Sequence, residues 1–288
     1  MPARKSRQQL RRILDGHEAV LMASVFDPVS ARIAESLGFE AALMGGSVAS
    51  YAGLGMPDVI LLTLSELSDQ VRRCTRVSDV PLVIDGDHGY GNALNVMRTV
   101  VELDYAGGGA VALEDTLLPR PFGKSDDPSL VPFDEAVGKM KAMVAARGES
   151  DMLVFARTGA AAIAGIDEAV ARARAFEAAG VDAIFIPVPR SRDEIDRISA
   201  AVKLPLVTAG LQPALCDRQY LASRRVKIWS AGHQTFAVVV GALHEAMKAV
   251  RGGTLSSQLP GQASEDAMAC ITGKTQFDDW TRQFLGGA

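Results

Sequence analysis

Eight short apolar runs, separated by segments of helical periodicity, constrain this chain more than any other feature. They lie at residues 20–25, 41–44, 82–84, 110–113, 152–156, 183–186, 206–208 and 226–229. Most are rich in Val, Ile, Leu and Ala, as strands covered on both faces are. Strands alternating with helices build parallel sheets. Eight such units predict a (β/α)₈ TIM barrel. A doubly wound dinucleotide fold fits less well, because no Gly-x-Gly-x-x-Gly follows the first run.

The intervening helices are clearest in three places. Asp27 is placed to cap a helix that opens with Pro28, in which Val29, Ile33 and Leu37 recur every four residues before Gly38 stops it. Ala93, Val96, Met97, Val100 and Val101 fall at i, i+3, i+4, i+7 and i+8, which predicts a buried stripe. A third helix over residues 167–179 ends at Gly180. The glycines Gly107, Gly108 and Gly109 stand before a strand and not before a helix, so they read as a helix-to-strand turn and not as a phosphate cradle.

After the eighth run comes a very apolar helix over residues 235–250, carrying Phe236, Val238, Val239, Val240, Leu243 and Met247. A tail with Phe277, Trp280 and Phe284 follows. A barrel does not need that tail. The expected organisation is a catalytic barrel over residues 1–253 and a tail over 254–288 that packs on the barrel or on a neighbouring subunit.

Composition excludes several classes. The formal net charge of −4 argues against a nucleic-acid or anionic-membrane surface. Arg4, Lys5, Arg7, Arg11 and Arg12 read as the solvated face of a first helix, with Leu10, Ile13 and Leu14 turned inward. Cys74, Cys216 and Cys270 form no paired motif and read as reduced thiols. No apolar run approaches the ~20 residues of a membrane span. The start of the chain is too polar for a signal peptide, so a cytoplasmic protein is expected.

Barrel enzymes place their chemistry at the C-terminal ends of the strands, so the residues just after each run are the candidates. Asp85-Gly86-Asp87-His88-Gly89-Tyr90-Gly91-Asn92 follows the third run, and Glu114-Asp115 follows the fourth. Residues two apart on a strand share a face, which would aim Asp85 and Asp87 together. Carboxylates gathered on adjacent strand ends need a cation, and hard oxygen ligands suit Mg²⁺ or Mn²⁺. Asp85, Asp87 and Glu114 are thus the candidate metal ligands, against the alternative that the aspartates merely cap a loop or helix.

Arg157-Thr158-Gly159 follows the fifth run. Its guanidinium is suited to gripping a substrate carboxylate, to pairing with Glu114, or to both. Gly45-Gly46-Ser47 follows the second run and reads either as an amide-and-hydroxyl cradle for a carboxylate or as a plain tight turn. His233 follows the eighth run as a candidate proton donor or substrate contact. His88 is expected to face away from Asp87 and to act in support. No Gly-x-Ser-x-Gly elbow exists to support a hydrolase triad.

Taken in order, Ser24-Val25-Phe26-Asp27-Pro28-Val29-Ser30-Ala31, Gly45-Gly46-Ser47, the Asp85–Asn92 segment, Glu114-Asp115 and Ala156-Arg157-Thr158 resemble the phosphoenolpyruvate mutase/isocitrate lyase superfamily. The similarity runs from about residue 8 to residue 250. It implies a barrel whose eighth helix is exchanged with a neighbouring subunit, in a homodimer or homotetramer. It implies Mg²⁺ held through Asp87, with Asp85 and Glu114 reached largely through water. The substrate would lie between the metal, Ser47, the Gly46 region and Arg157. Asp58 matches a further site position, with a catalytic role implied.

Within the superfamily, the lyases carry Lys-Lys/Arg-Cys-Gly-His in the loop after the fourth strand. Here that loop reads Thr116-Leu117-Leu118-Pro119-Arg120-Pro121-Phe122-Gly123-Lys124-Ser125, with no Cys and no His. The Lys-Thr-Asn-Ser stretch of the phosphonate-forming mutases is absent too. The loop, the Gly91–Leu103 stretch and His233 resemble the oxaloacetate decarboxylase branch. The function implied is Mg²⁺-dependent decarboxylation of oxaloacetate, a small 2-keto dicarboxylate, to pyruvate and CO₂. One departure is that Ala-Arg-Thr continues with Gly159-Ala160-Ala161, where relatives carry polar residues. The alternatives are another Mg²⁺-dependent cleavage of a C–C or C–P bond, with Arg120 and Lys124 as phosphonate contacts, and a barrel that binds a dicarboxylate without turnover.

Overall fold

A computed structural model of the chain describes residues 2–123 and 127–286. All eight expected runs form strands, and the first is divided in two. The strands are β1 (Val20–Leu21), β2 (Ala23–Ser24), β3 (Ala42–Met44), β4 (Leu82–Asp85), β5 (Ala110–Glu114), β6 (Leu153–Arg157), β7 (Ala183–Pro187), β8 (Leu206–Ala209) and β9 (Val226–Ser230). They are parallel neighbours in the order β1-β9-β8-β7-β6-β5-β4-β3-β2. Since β1 pairs with β9 and β2 with β3, the segment at residues 20–24 joins the two ends of the sheet into a nearly closed barrel. The hand-over occurs at Met22, whose N–H donates to the Trp229 carbonyl at 2.8 Å while the Ala23 N–H turns to Ala41 at 3.0 Å.

Around the barrel run α1 (Pro2–Asp15), α2 (Pro28–Ser36), α3 (Gly46–Leu54), α4 (Leu64–Thr75), α5 (Ala93–Tyr105), α6 (Phe133–Arg147), α7 (Ala160–Ile163), α8 (Ile166–Ala179), α9 (Arg192–Ala201), α10 (Arg218–Ser223), α11 (Gln234–Arg251), α12 (Glu265–Thr272) and α13 (Lys274–Trp280). Strand residues alternate between two cores. Leu43, Val83, Leu153, Phe155, Phe185, Val207 and Ile228 fill the interior, where Leu10 and Leu14 of α1 join them. Their alternates, such as Met44, Ile84 and Val154, pack outward against the helices.

Several helix faces differ from the expected ones. Asp27 caps α2 as foreseen, accepting the Ser30 N–H at 2.7 Å. However, Ala31 and Ala34 turn inward, and Val29, Ile33 and Leu37 face out, Leu37 at 70% exposure. Small side chains let this helix approach the barrel, and the row of large ones is left outside. On α5 the buried stripe is Val96, Thr99, Val100 and Leu103, while Val101 is exposed. Thr99 tolerates burial because its hydroxyl donates to the Asn95 and Gly89 carbonyls. The basic cluster of α1 is also split. Arg7 is buried, donating to the Gly108 carbonyl at 2.8 Å and pairing with Asp104 at 2.7 Å.

A buried charge network ties the strand ends together. Asp115, at 0% exposure, accepts from the Thr158 hydroxyl at 2.8 Å and from Arg172 at 3.1 Å. Arg172 also donates to the Val131 carbonyl and pairs with Glu168. Removing one partner of such a pair strands the other charge away from water. Arg172→Ala is therefore expected to lower the unfolding free energy by about 3–5 kcal/mol in urea titrations. A loss below about 1 kcal/mol, the range of exposed pairs, would show that Asp115 is not held by this network.

Candidate active site

The C-terminal rim is built by the residues that leave the strands. β4 ends at Asp85, and Gly86 then runs close against β5, where an added Cβ would lie 2.5 Å from Leu113. Asp87 follows in the left-handed region at φ 48°. The two aspartates are therefore not related by strand alternation, as the spacing suggested, but by a turn in which the Asp87 N–H donates to Asp85 at 3.2 Å. They still converge. The Gly46 N–H donates to Asp85 at 3.3 Å, and a Cβ on Gly46 would stand 2.6 Å from Asp87 Oδ1. Glycine is needed there because the carboxylate occupies the side-chain position.

Gly45-Gly46-Ser47 is neither a bare turn nor a free nest. It is the opening of α3, with Gly45 as its cap. Ser47 is half-buried in the first turn.

Arg157 closes β6 in register with Glu114 at the end of β5. Its Nη1 donates to both oxygens of Asp85 at 2.7 and 2.8 Å, and Nη2 stands 3.3 Å from Glu114. Its Nε is buried without a protein acceptor. The alternative of a structural ion pair is thus observed, and the partners include Asp85 as well as Glu114.

Charge is the unusual property here. Burial, then Asp85, Asp58 and Glu114, hold the Asp87 carboxyl well above the ordinary range, against a smaller opposite pull from Arg157. Burial raises Glu114, with Arg157 opposing. Partial burial and Asp85 raise Asp58, which sits on the rim between α3 and α4. Asp58, Asp85, Asp87 and Glu114 therefore share the field of Arg157, an excess of acid over base. Among the described residues, no three Asp, Glu, His or Cys side chains are drawn together as a ready-made metal cage. The donor set is a loose group of hard oxygens, which fits a divalent cation with few direct protein ligands and retained water.

His233 reaches the same rim from the end of β9. Its Nδ1 lies 2.6 Å from the Ser24 hydroxyl, and its Nε2 rests against Gly45, where a Cβ would be only 2.4 Å away. Burial, reinforced by Arg157 and opposed by Asp85, lowers its pKa. The ring is therefore neutral near pH 7. His88 turns instead toward Tyr90, with ring centres 5.9 Å apart, and burial followed by Lys139 pushes it down to about 4.

Sequence reasoning quoted Ser24 only within a motif and gave it no role, because the first apolar run continues to Val25 while β2 ends at Ser24. It also passed over the roles of Asp115 and Thr158, which hold β5 and β6 together from behind the site. Lys124 lies outside the described residues, and Arg120 is on the outer arm of the loop whose base is closed by Thr116 and Leu130.

A family profile described as phosphoenolpyruvate phosphomutase matches residues 10–251. The chain belongs to this family. Its relatives include an oxaloacetate decarboxylase of Paraburkholderia xenovorans (strain LB400), 66% identical over 281 residues, covering 98% of this chain and 94% of that protein. The structure of phosphonopyruvate hydrolase in complex with oxalate and Mg²⁺ superposes with a TM-score of 0.85 at 30% identity, over 97% of this chain and 99% of the other. That of oxaloacetate acetylhydrolase with 3,3-difluorooxalacetate gives 0.86 at 25% identity, over 99% and 98%. The resemblance read from the motifs and the expected barrel are both borne out.

The acid surplus has a cost for folding. Asp87→Asn, measured in chelator at pH 7.5, should stabilise the protein by about 0.5–2 kcal/mol, the size of common charge-relief gains. A destabilised variant would show that Asp87 is satisfied by protein groups alone.

Proposed function

We propose that this family member decarboxylates oxaloacetate to pyruvate and CO₂ with the help of Mg²⁺, or of Mn²⁺ in its place. The observation that carries this reading is the buried surplus of carboxylates around Arg157 at the strand ends. The oxaloacetate decarboxylase relative at 66% identity supports the choice of substrate. The crystallised phosphonopyruvate hydrolase supports the choice of metal.

Asp87, Asp85 and Glu114 would hold the ion, Asp87 directly and the other two mainly through water. The ion would add positive charge beside the keto oxygen, where electrons gather as the C–C bond to the departing carboxylate breaks. The chain's own groups then have separate tasks. Arg157, held by Asp85 and Glu114, places a fixed positive charge beside the anionic oxygens of the substrate. The first-turn amide and hydroxyl of Ser47, at the opening of α3, face an anion favourably. Neutral His233 pairs at Nδ1 with the Ser24 hydroxyl, and in the tautomer in which Ser24 donates, the ring proton is on Nε2, toward Gly45. As a neutral ring it serves as a hydrogen-bond donor to substrate, and the proton that completes the methyl group of pyruvate comes from water. Asp58, whose carboxyl burial and Asp85 raise above its ordinary range, would orient that water.

The test is pyruvate release from oxaloacetate with and without Mg²⁺, after subtraction of the spontaneous metal-catalysed background. Asp87→Ala should abolish the metal-dependent turnover. Arg157→Lys should lower kcat by about 10²–10³-fold, as the loss of a preorganised charge-stabilising donor does. No turnover above background, with oxalate still bound in a Mg²⁺-dependent way, would overturn oxaloacetate as substrate and leave another keto acid or phosphonate.

The same reading extends to assembly. No residue of α11 is buried, and Val238, Leu243 and Met247 are among its exposed side chains, Val238 at 69%. We propose that a neighbouring subunit covers this helix by exchange, giving a homodimer or homotetramer, and that the tail over 254–288 contributes to the contact. Among the described residues no helix is long and apolar enough to cross a membrane, and the cytoplasm is the proposed compartment. Light scattering should give the mass of two or four chains. Val239→Glu with Leu243→Glu should shift it toward one chain, and a monomeric wild type would refute the exchange.

A further inference from the structure

Helix α11 is nearly uncovered along its length. Within Gln234–Arg251, Phe236 is the only side chain larger than alanine that is even half-buried. Its ring stands edge-on to Phe26, with centroids 5.0 Å apart and planes at 89°, and lies tilted over Tyr51 at 5.5 Å and 32°. Both distances are those of attractive aromatic pairs.

The places of these two partners in the chain matter. Phe26 lies two residues beyond Ser24, on the segment that leaves β2. Tyr51 is on α3, the helix that Gly45 caps. The imidazole of His233 touches that same Ser24 and that same Gly45. His233 and Phe236 therefore bridge one pair of segments at two levels. They are also tied to each other, since the Phe236 N–H donates to the His233 carbonyl at 3.0 Å.

The imidazole needs such a support. It hangs from the short connection after β9, in which Ala231 is exposed and Gly232 has a φ of 116°. The Gly232 N–H is pinned to the Ser230 hydroxyl at 3.1 Å. His233 caps α11 by position only, because its side chain makes no capping hydrogen bond. A single hydroxyl contact at Nδ1 does not by itself stop the backbone below it from shifting. A ring packed against both a strand extension and a helix does, because any shift costs both contacts.

We propose that Phe236 is a positioning residue for the site, a wedge between Phe26 and Tyr51 that fixes where α11 leaves the barrel and so holds the His233 imidazole between Ser24 and Gly45. The proposal rests on the reading of His233 as a donor to substrate.

Two readouts separate this role from a merely structural one. The first is a double-mutant cycle in the full chain. Phe236→Ala should lower kcat on oxaloacetate by about ten- to a hundredfold, the loss that misplacing a group by about 1 Å brings. In His233→Ala the same change should cost less than about twofold, because residues that act as a unit are not additive. Phe236→Tyr, which keeps the ring, should recover most of the loss. The second readout needs no turnover. Burial, reinforced by Arg157 and opposed by Asp85, lowers the His233 pKa. In histidine-labelled protein the His233 imidazole resonance, identified by its loss in His233→Ala, should titrate at higher pH in Phe236→Ala than in wild type, as water enters around the ring. An unchanged titration would overturn the proposal, and so would a loss of activity that persists in full in His233→Ala. If wild type does not turn over oxaloacetate, the function proposed above falls and the imidazole titration alone decides this one. If Phe236→Ala does not fold, Tyr51→Ala removes one wall of the wedge and carries both readouts.

Discussion

One guanidinium organises the rim of this barrel. Arg157 lies against both oxygens of Asp85 and near Glu114, at the end of a strand paired with the strand that carries Glu114. Even though burial opposes its charge, the surrounding carboxylates hold it firmly protonated. It is thus a fixed positive charge within a region of fixed negative ones. Asp87 and Asp58 are left without a cation of their own, and the excess is what makes the site receptive to a hard metal ion and an anionic substrate together.

That arrangement needs a rigid support, and the structure provides it from behind. Glu114 faces the rim, whereas its neighbour Asp115 turns back to Thr158 and Arg172. Adjacent acids on one strand end therefore do opposite work. One supplies charge to the site, and the other anchors β5 to β6 so that Glu114 and Arg157 keep their register. Close backbone approaches at Gly46 and Gly86 complete the support, since either glycine's missing Cβ is replaced by a neighbour's side chain.

The barrel was largely legible because both faces of its strands are covered, which turns each strand into a plain apolar run. The helices were less so. Their large residues are not reliable guides to the inward face where Ala31 and Ala34 allow close packing, or where Thr99 can satisfy its hydroxyl within its own helix and at Gly89. Asp85, Glu114 and Arg157 could be picked out because strand ends define the rim. Asp87 was found for a partly mistaken reason, since a left-handed turn aims it and not strand alternation. Ser24 and Asp115 matter through contacts between segments distant in sequence, and such contacts leave no local pattern to read.

The divided first strand has a consequence for how the chain reaches its final form. Residues 20–24 must pair with β3 on one side, a near neighbour in sequence, and with β9 on the other, where Val20 meets Ile228. The first pairing closes a short loop of chain, while the second spans most of the polypeptide and carries a larger entropic penalty. Pairings of such long range slow folding. The sheet can thus grow from its N-terminal side as the ribosome delivers it, but the cylinder stays open until β9 has emerged. The rim inherits this order of events. Asp85 and Asp87 are available early, whereas His233 joins Ser24 and Gly45 only after the seam has shut.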